Sequence, residues 1–252
     1  MTDADHSPRP ASRRLSALLP TPASRLAGAL FVALVLVHLG LQLAGADSLA
    51  AASQWLLMPA LAATVWFATR SPRPRLVRLV LVALAFSWLG DAAPDLADGD
   101  TAFLVMVGFF LCAQVTYAVA FWPYRRQSVA RRPLLVVPYV IVFAVLVALC
   151  AGNAGALLPA VVVYGLCLAT MAVLATGLGR LTALGGAIFL VSDALIALGA
   201  FTTWYDPPVQ GFWVMLTYTV GQALLAAGVL RVARAEAVSS VDAAAPSTVP
   251  GR

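Results

Sequence analysis

The stretch LTALGGAIFLVSDALIALGAF, Leu181–Phe201, decides the fold, because it is apolar for long enough to cross a membrane. An α-helix rises about 1.5 Å per residue, so about 20 apolar residues cover a hydrocarbon core roughly 30 Å thick. The single charged side chain of this stretch is Asp193, near its middle. A carboxylate at that depth costs about 2.5–3.5 kcal/mol on insertion scales, which indicates a functional role for Asp193.

The same apolar pattern recurs along the whole chain. Its 252 residues are 62% hydrophobic and 11% charged, whereas a soluble domain carries about 25% charged residues. Lipid admits only helices or closed barrels, and these runs are too long and too uniformly apolar for barrel strands. The sequence therefore predicts an all-α membrane protein with eight transmembrane helices. The predicted spans are Leu26–Ala44, Leu49–Ala68, Leu76–Ala93, Thr101–Trp122, Pro133–Cys150, Gly155–Thr176, Leu181–Phe201 and Gly211–Val232.

The connections between these runs are short and leave no room for a separate soluble domain. We predict one transmembrane domain, residues 25–232, between two disordered cytoplasmic tails, residues 1–24 and 233–252, which are rich in Ala, Ser, Pro and charge. Ala44-Gly45-Ala46 looks like a signal-peptidase site, but the preceding apolar stretch is longer than the usual 7–15 residues. An uncleaved first span is therefore favoured. The cysteines form no CxxC pair and are interpreted as packing residues: Cys112, Cys150 and Cys167.

The basic residues predict the orientation. All 16 are arginine, and with the N-terminus inside, eight spans place every one of them in an inner segment. The outer loops then carry only acids, namely Asp47, Asp95, Asp98, Asp100 and Asp206. The positive-inside rule thus predicts cytoplasmic termini in a bacterial-type cell membrane. Because these arginines suit anionic lipid head groups, the net charge of +5 predicts no nucleic-acid partner.

A second acid, Asp91, lies in the third span and matches Asp193 in depth. Arg78 and Arg180 mark the inner ends of the third and seventh spans, and each acid follows its arginine by 13 residues. Both carboxyl groups are therefore expected roughly 20 Å above the inner boundary. A shared site requires such equal depth.

Further polar side chains are candidates for the same site. Ser87 precedes Asp91 by one helical turn and shares its face, and Ser192 directly precedes Asp193. His38, isolated in the first span, is interpreted as a packing residue. For each of the others a helix–helix hydrogen bond is the alternative to substrate binding. They are Gln114, Tyr117, Tyr164, Tyr218 and Gln222.

No motif for a metal, nucleotide or serine nucleophile is present. The sequence lacks GxSxG, HExxH, a P-loop and a GxGxxG strand–helix junction, and it has only 2 histidines. We therefore expect no cofactor and no metal, so carboxyl groups must carry the chemistry. Asp91 and Asp193 are 102 residues apart, and Tyr117 and Tyr218 are 101 apart. These spacings are consistent with a 4+4 parallel repeat of the spans.

Four motifs together resemble the YhhN-like lysoplasmalogenase family of integral membrane proteins. They are SWLGDAAPDL (Ser87–Leu96), FFLCAQVTYAVAF (Phe109–Phe121), GGAIFLVSDALIALGAF (Gly185–Phe201) and MLTYTVGQALL (Met215–Leu225). The resemblance covers about residues 25–232 and implies hydrolysis of the vinyl ether bond of a lysoplasmalogen to a fatty aldehyde and a glycerophospho-base. Two departures concern the substrate head group. Gln114 stands where the family often has His, and the chain lacks the family's frequent Lys-Pro near the second span.

Vinyl ether hydrolysis suits two carboxyl groups. A proton adds to the alkene carbon distal to oxygen, and water captures the resulting oxocarbenium ion, as in glycosidases. We predict Asp91 and Asp193 as general acid and base, without assigning which is which, and a membrane lysophospholipid as the partner. The alternatives are a transporter or proton relay that uses the same acids, and a non-catalytic lipid-binding protein. The sequence identifies no protein partner.

Overall fold

The computed structural model describes residues 18–244, which form α-helices joined by short turns. The long helices are α1 Pro22–Leu43, α2 Asp47–Ala68, α3 Arg75–Ala92, α4 Gly99–Phe121, α5 Pro133–Ala154, α6 Leu158–Ala175, α7 Arg180–Phe201 and α8 Gln210–Ala244. Among the described residues, 7 stretches are long and apolar enough to cross a membrane, and one of them, Pro133–Leu178, contains both α5 and α6. The predicted all-α class is confirmed, and each predicted span has its own helix.

Local sequence explains where the helices begin and end. Thr21 and Ser24 form a reciprocal capping box at the start of α1, which satisfies two amide groups that have no partner inside the helix. Gly155 follows α5 with a φ of 49°, a conformation that glycine adopts without a steric penalty. The chain reverses there, so that α5 and α6 pack against each other.

The structure differs from the predicted C-terminal tail, because α8 continues to Ala244 instead of ending near residue 232. Residues 233–244 contain no Gly or Pro and several good helix formers. Arg234 also ties this extension to the bundle by donating hydrogen bonds to the carbonyl groups of Leu18 and Ala68. Residues 22–24, predicted as tail, belong to α1. Residues 1–17 and 245–252, also predicted as tail, lie outside the described residues.

Helix α8 organises the bundle. It contacts α1, α2, α3 and α7, and its contact with α7 is the most extensive of any helix pair. That contact depends on Gly185, where an added Cβ would lie 2.7 Å from the backbone nitrogen of Leu225. Small residues permit such close approach between membrane helices. Helix α4 packs against α3 and α6 on the other side, so that side chains from α3, α4, α6, α7 and α8 meet in the interior.

Large apolar side chains also cover the outside of the bundle. Leu36, Val140 and Leu166 are 65%, 56% and 57% exposed, as expected for helices that face lipid. The bundle is therefore apolar both inside and outside, and its buried polar groups stand out. The orientation of the termini and the 4+4 repeat stay predictions.

Candidate functional site

Asp91 lies in the last turn of α3 and is buried, with 8% of its surface exposed. Its Oδ2 accepts a hydrogen bond of 2.9 Å from the Tyr218 hydroxyl of α8. Its Oδ1 accepts one of 3.3 Å from the Gln54 amide of α2. Three helices thus hold this carboxyl group in one position.

A second set of hydrogen bonds lies one helical turn from Asp91. The Gln222 amide nitrogen donates to Ser87 Oγ at 3.0 Å, and its amide oxygen accepts from the Tyr117 hydroxyl at 2.6 Å. All three side chains are fully buried. Because α3 and α8 are antiparallel, Asp91–Tyr218 and Ser87–Gln222 form two successive cross-links, and Tyr117 extends the second one to α4.

Asp193 lies on α7 with 9% of its surface exposed, and its Oδ2 accepts a hydrogen bond of 2.5 Å from the Tyr164 hydroxyl of α6. Two small cavities of about 50 Å³ each flank this pair, and both are lined by Val161, Tyr164, Asp193 and Ala197. One cavity opens toward α4 and the other toward α5. Because the rest of the lining is almost entirely apolar, the Tyr164–Asp193 pair is its main polar feature.

Phe110 of α4 packs against the hydrogen-bond partner of Asp91 and lines a cavity at Asp193. Its ring packs edge-on against Tyr218, with ring centroids 5.7 Å apart, and it lines the Asp193 cavity on the α4 side. It also covers Gly90, where an added Cβ would lie 2.8 Å from the ring. Phe110 therefore links the surroundings of the two carboxyl groups, because its neighbour Tyr218 donates to Asp91 and its cavity is also lined by Asp193. The two carboxyl groups do not form one hydrogen-bonded pair.

Gln114 is the unusual polar group of this region. It is fully buried, and within residues 18–244 neither its amide oxygen nor its amide nitrogen has a partner in hydrogen-bonding geometry. It lies close to the Tyr164 hydroxyl. An unsatisfied buried amide costs about 1–3 kcal/mol, so such a group is often retained to bind a polar ligand. Gln114 is therefore a candidate contact for water or substrate beside Asp193.

Two polar residues, Ser192 of the predicted set and His38, have partners outside this region. The Ser192 hydroxyl donates to the Val214 carbonyl at 3.0 Å and ties α7 to α8. His38 Nδ1 lies 2.9 Å from Ser53 Oγ and 3.1 Å from the Ala50 carbonyl oxygen. This links α1 to α2, as expected of a packing residue. Within residues 18–244, no group of three or more His, Cys, Asp and Glu side chains could hold a metal ion.

Sequence reasoning missed Gln54 and Phe110. Gln54 is a polar residue inside the second apolar run, and the criterion that selected Gln114 and Gln222 would have selected it as well. Phe110 has no comparable signal, because it is one aromatic residue in an apolar helix. Its importance follows only from how α3, α4, α7 and α8 are arranged.

Comparison with known proteins gives one match. The model of the YhhN family matches residues 49–229, which include both acids and every other predicted site residue. No curated protein and no solved structure matches the chain.

Proposed function

This chain belongs to the YhhN family, and we propose that it is a membrane-embedded hydrolase that cleaves the vinyl ether bond of lysoplasmalogen-type lysolipids. The products are a fatty aldehyde and a glycerophospho-base. Family membership is consistent with a membrane hydrolase, while the bond and the substrate belong to the proposal. The observation that carries it is a buried carboxyl group, Asp193, which lines an apolar cavity beside a tyrosine hydroxyl.

The reaction proceeds by proton transfer at Asp193. The protonated carboxyl group gives its proton to the alkene carbon distal to the ether oxygen, and the alkene electron pair forms the new C–H bond. Water then attacks the oxocarbenium carbon and loses a proton to the Asp193 carboxylate, which restores the acid. The hemiacetal collapses to an aldehyde and the glycerol hydroxyl, so one water is consumed for each bond cleaved. A positioned carboxyl group of this kind contributes about 10²–10⁴-fold.

The neighbouring groups support this step in different ways. Tyr164 orients the Asp193 carboxyl group through its hydrogen bond. The Gln114 amide, buried close to Tyr164, orients the attacking water. Asp91, held by Gln54 and Tyr218, stabilises the positive charge of the intermediate. Charge interactions of this kind are strong where water is excluded.

Substrate entry requires a helix to move. Each cavity at Asp193 measures about 50 Å³, whereas sites for lipid-sized ligands measure roughly 300–1,000 Å³. Helix α5 has its extensive long-helix contacts with α6 and α7, and its buried residues are Cys150 and Ala154. We expect α5 to separate from α6, so that the alkenyl chain enters from the lipid along the α5 cavity.

The distribution of buried polar side chains along α3 favours a hydrolase over a proton relay across the membrane. The buried side chains of α3 between Arg75 and Ser87 are all apolar: Leu76, Val77, Val80, Ala83 and Leu84. Along this helix the polar groups therefore stop at Ser87 and do not continue toward the arginine-rich end. A relay would need a polar path in that direction.

The experiment is product analysis with purified, full-length protein. Incubation with an alkenyl lysolipid should release fatty aldehyde, detected by mass spectrometry without any ion gradient. Asp193→Asn should lower the rate by about 10²–10⁴-fold, and Ser192→Ala, adjacent on the same helix, should retain most of it. Binding of lysolipid without aldehyde release would favour the lipid-binding alternative. Gradient-dependent flux in liposomes without hydrolysis would favour the transporter.

A further inference from the structure

A large apolar cleft lies between α4 and α6, away from Asp193. It measures about 560 Å³, within the range of roughly 300–1,000 Å³ that ligand sites occupy. Its walls are Val115, Ala118 and Val119 on α4, and Leu166, Thr170 and Leu174 on α6. The cleft is long enough, and apolar enough, to hold part of an acyl chain.

The cleft ends at a group of arginines. Arg75 and Trp122 line the end of the cleft that lies nearest the connection between α4 and α5. A second cavity of about 440 Å³ shares Trp122 with the cleft and adds Arg125, Arg126 and Arg131. Apolar and basic surfaces are thus continuous from the helix walls to the connection between α4 and α5.

These arginines are arranged to meet an anion. The Arg125 guanidinium stacks over Trp122 at 4.9 Å from the ring centroid and donates to the Trp122 carbonyl at 3.2 Å, which holds it in place. Arg126 and Arg131 are exposed. The acids of the connecting loops lie at the opposite end of the bundle, where α1 is joined to α2, α3 to α4 and α7 to α8. At the arginine-rich end, Glu236 accepts a hydrogen bond from Tyr124.

We propose that this cleft and its arginines form a binding site for an anionic phospholipid of the surrounding membrane. The phosphate lies against Arg126 and Arg131, and one acyl chain lies in the cleft. Basic pockets between transmembrane helices bind anionic head groups, and the planar guanidinium group matches phosphate oxygens in pairs. The site is independent of the proposed hydrolase activity.

The bound lipid is not the substrate in its reacting position. Leu174, at the arginines, and Tyr164, at Asp193, are ten residues apart on α6, which corresponds to about 15 Å along the helix. In an alkenyl lysolipid only a few bonds separate the phosphate from the vinyl ether. A lysolipid whose phosphate lay on the arginines would hold its vinyl ether far from Asp193.

Lipid binding to the purified, full-length protein tests the site. The protein is delipidated in detergent and titrated with phosphatidylglycerol, or with phosphatidylcholine of the same chains. Native mass spectrometry measures the bound lipid. We expect preferential binding of phosphatidylglycerol. The double variant Arg126→Gln/Arg131→Gln should bind it about 30-fold more weakly, because each arginine near a head group contributes on the order of a fivefold change in affinity. Arg78→Gln/Arg180→Gln removes the same charge from exposed positions at the same end and should bind almost normally.

A second pair of variants tests the cleft itself. Ala118→Phe fills the cleft and should reduce retention of phosphatidylglycerol. Ala144→Phe is the control, because it adds the same ring on the exposed face of α5, outside the cleft, and should retain the lipid. Unchanged affinity in the double arginine variant, or equal binding of the two lipids, would overturn the proposal. Equally strong binding of inorganic phosphate would identify a free-anion site and overturn the assignment to a lipid.

Discussion

Replacing Tyr164 with Phe isolates the hydrogen bond that orients Asp193. The change removes only the hydroxyl group that donates to Asp193 Oδ2 at 2.5 Å and keeps the ring between the two cavities. Hydrogen bonds to charged groups contribute about 1.5–3 kcal/mol, and each 1.36 kcal/mol corresponds to about a tenfold change in rate. We therefore expect kcat for aldehyde release to fall by roughly 10- to 150-fold. KM should change little, because the phenyl ring still lines the cavity.

Steady-state kinetics with an alkenyl lysolipid measures this effect beside two other variants. Tyr139→Phe removes a hydroxyl from a half-buried tyrosine of α5 that lines neither Asp193 cavity, and it should leave kcat unchanged. Asp193→Asn should be far more damaging than Tyr164→Phe. If Tyr164→Phe had wild-type kcat, the orienting role would be refuted. If it matched Asp193→Asn, Tyr164 would take part in the proton transfer itself.

Three further predictions concern the effects of substitutions on stability and on aldehyde release. Gln114→Leu should raise the free energy of unfolding by about 1–3 kcal/mol, because it removes a buried amide that has no partner in the described residues. Aldehyde release should fall at least tenfold. A loss of stability in thermal unfolding would contradict this prediction. Gly185→Ala should destabilise by about 1–3 kcal/mol, because its Cβ would lie 2.7 Å from the Leu225 nitrogen, whereas Gly40→Ala, inside α1 with open space around it, should cause no loss and a gain of at most about 1 kcal/mol in the same assay. Ser192→Ala should cost about 1 kcal/mol of stability through its lost hydrogen bond to Val214 without lowering kcat, and a large activity loss would assign Ser192 to the site.

Span positions and polar residues were predictable because they depend on distances along single helices. Apolar length located the helices, whereas the equal depth of Asp91 and Asp193, inferred from their spacing to the inner arginines, stays a prediction. One turn between Ser87 and Asp91 predicted a shared face, and Tyr218 and Gln222 are also one turn apart. The structure joins these as Asp91–Tyr218 and Ser87–Gln222.

The lateral arrangement of the helices was not predictable. In a soluble protein, an apolar stripe shows which helix face is buried, but in lipid both sides of a helix are apolar. Nothing in the sequence therefore showed that Tyr164 would reach Asp193 and not Asp91, or that Phe110 would pack against Tyr218 and line the Asp193 cavity. The helical course of residues 233–244 was missed for another reason. Composition was taken to indicate disorder, whereas Arg234 binds carbonyl groups of the bundle.

The different surroundings of the two acids argue for different roles. Asp91 accepts hydrogen bonds at both carboxyl oxygens, from groups on two other helices, and it does not line the cavities at Asp193. Among residues 18–244, Asp193 has one hydrogen-bond donor, and it lines both of these cavities. A group that exchanges protons with substrate and water needs access to them, whereas a group that stabilises charge needs a fixed position. Glycosidases divide two carboxyl groups in the same way according to their environments. We therefore propose the proton transfers for Asp193 and the stabilisation of the cation for Asp91.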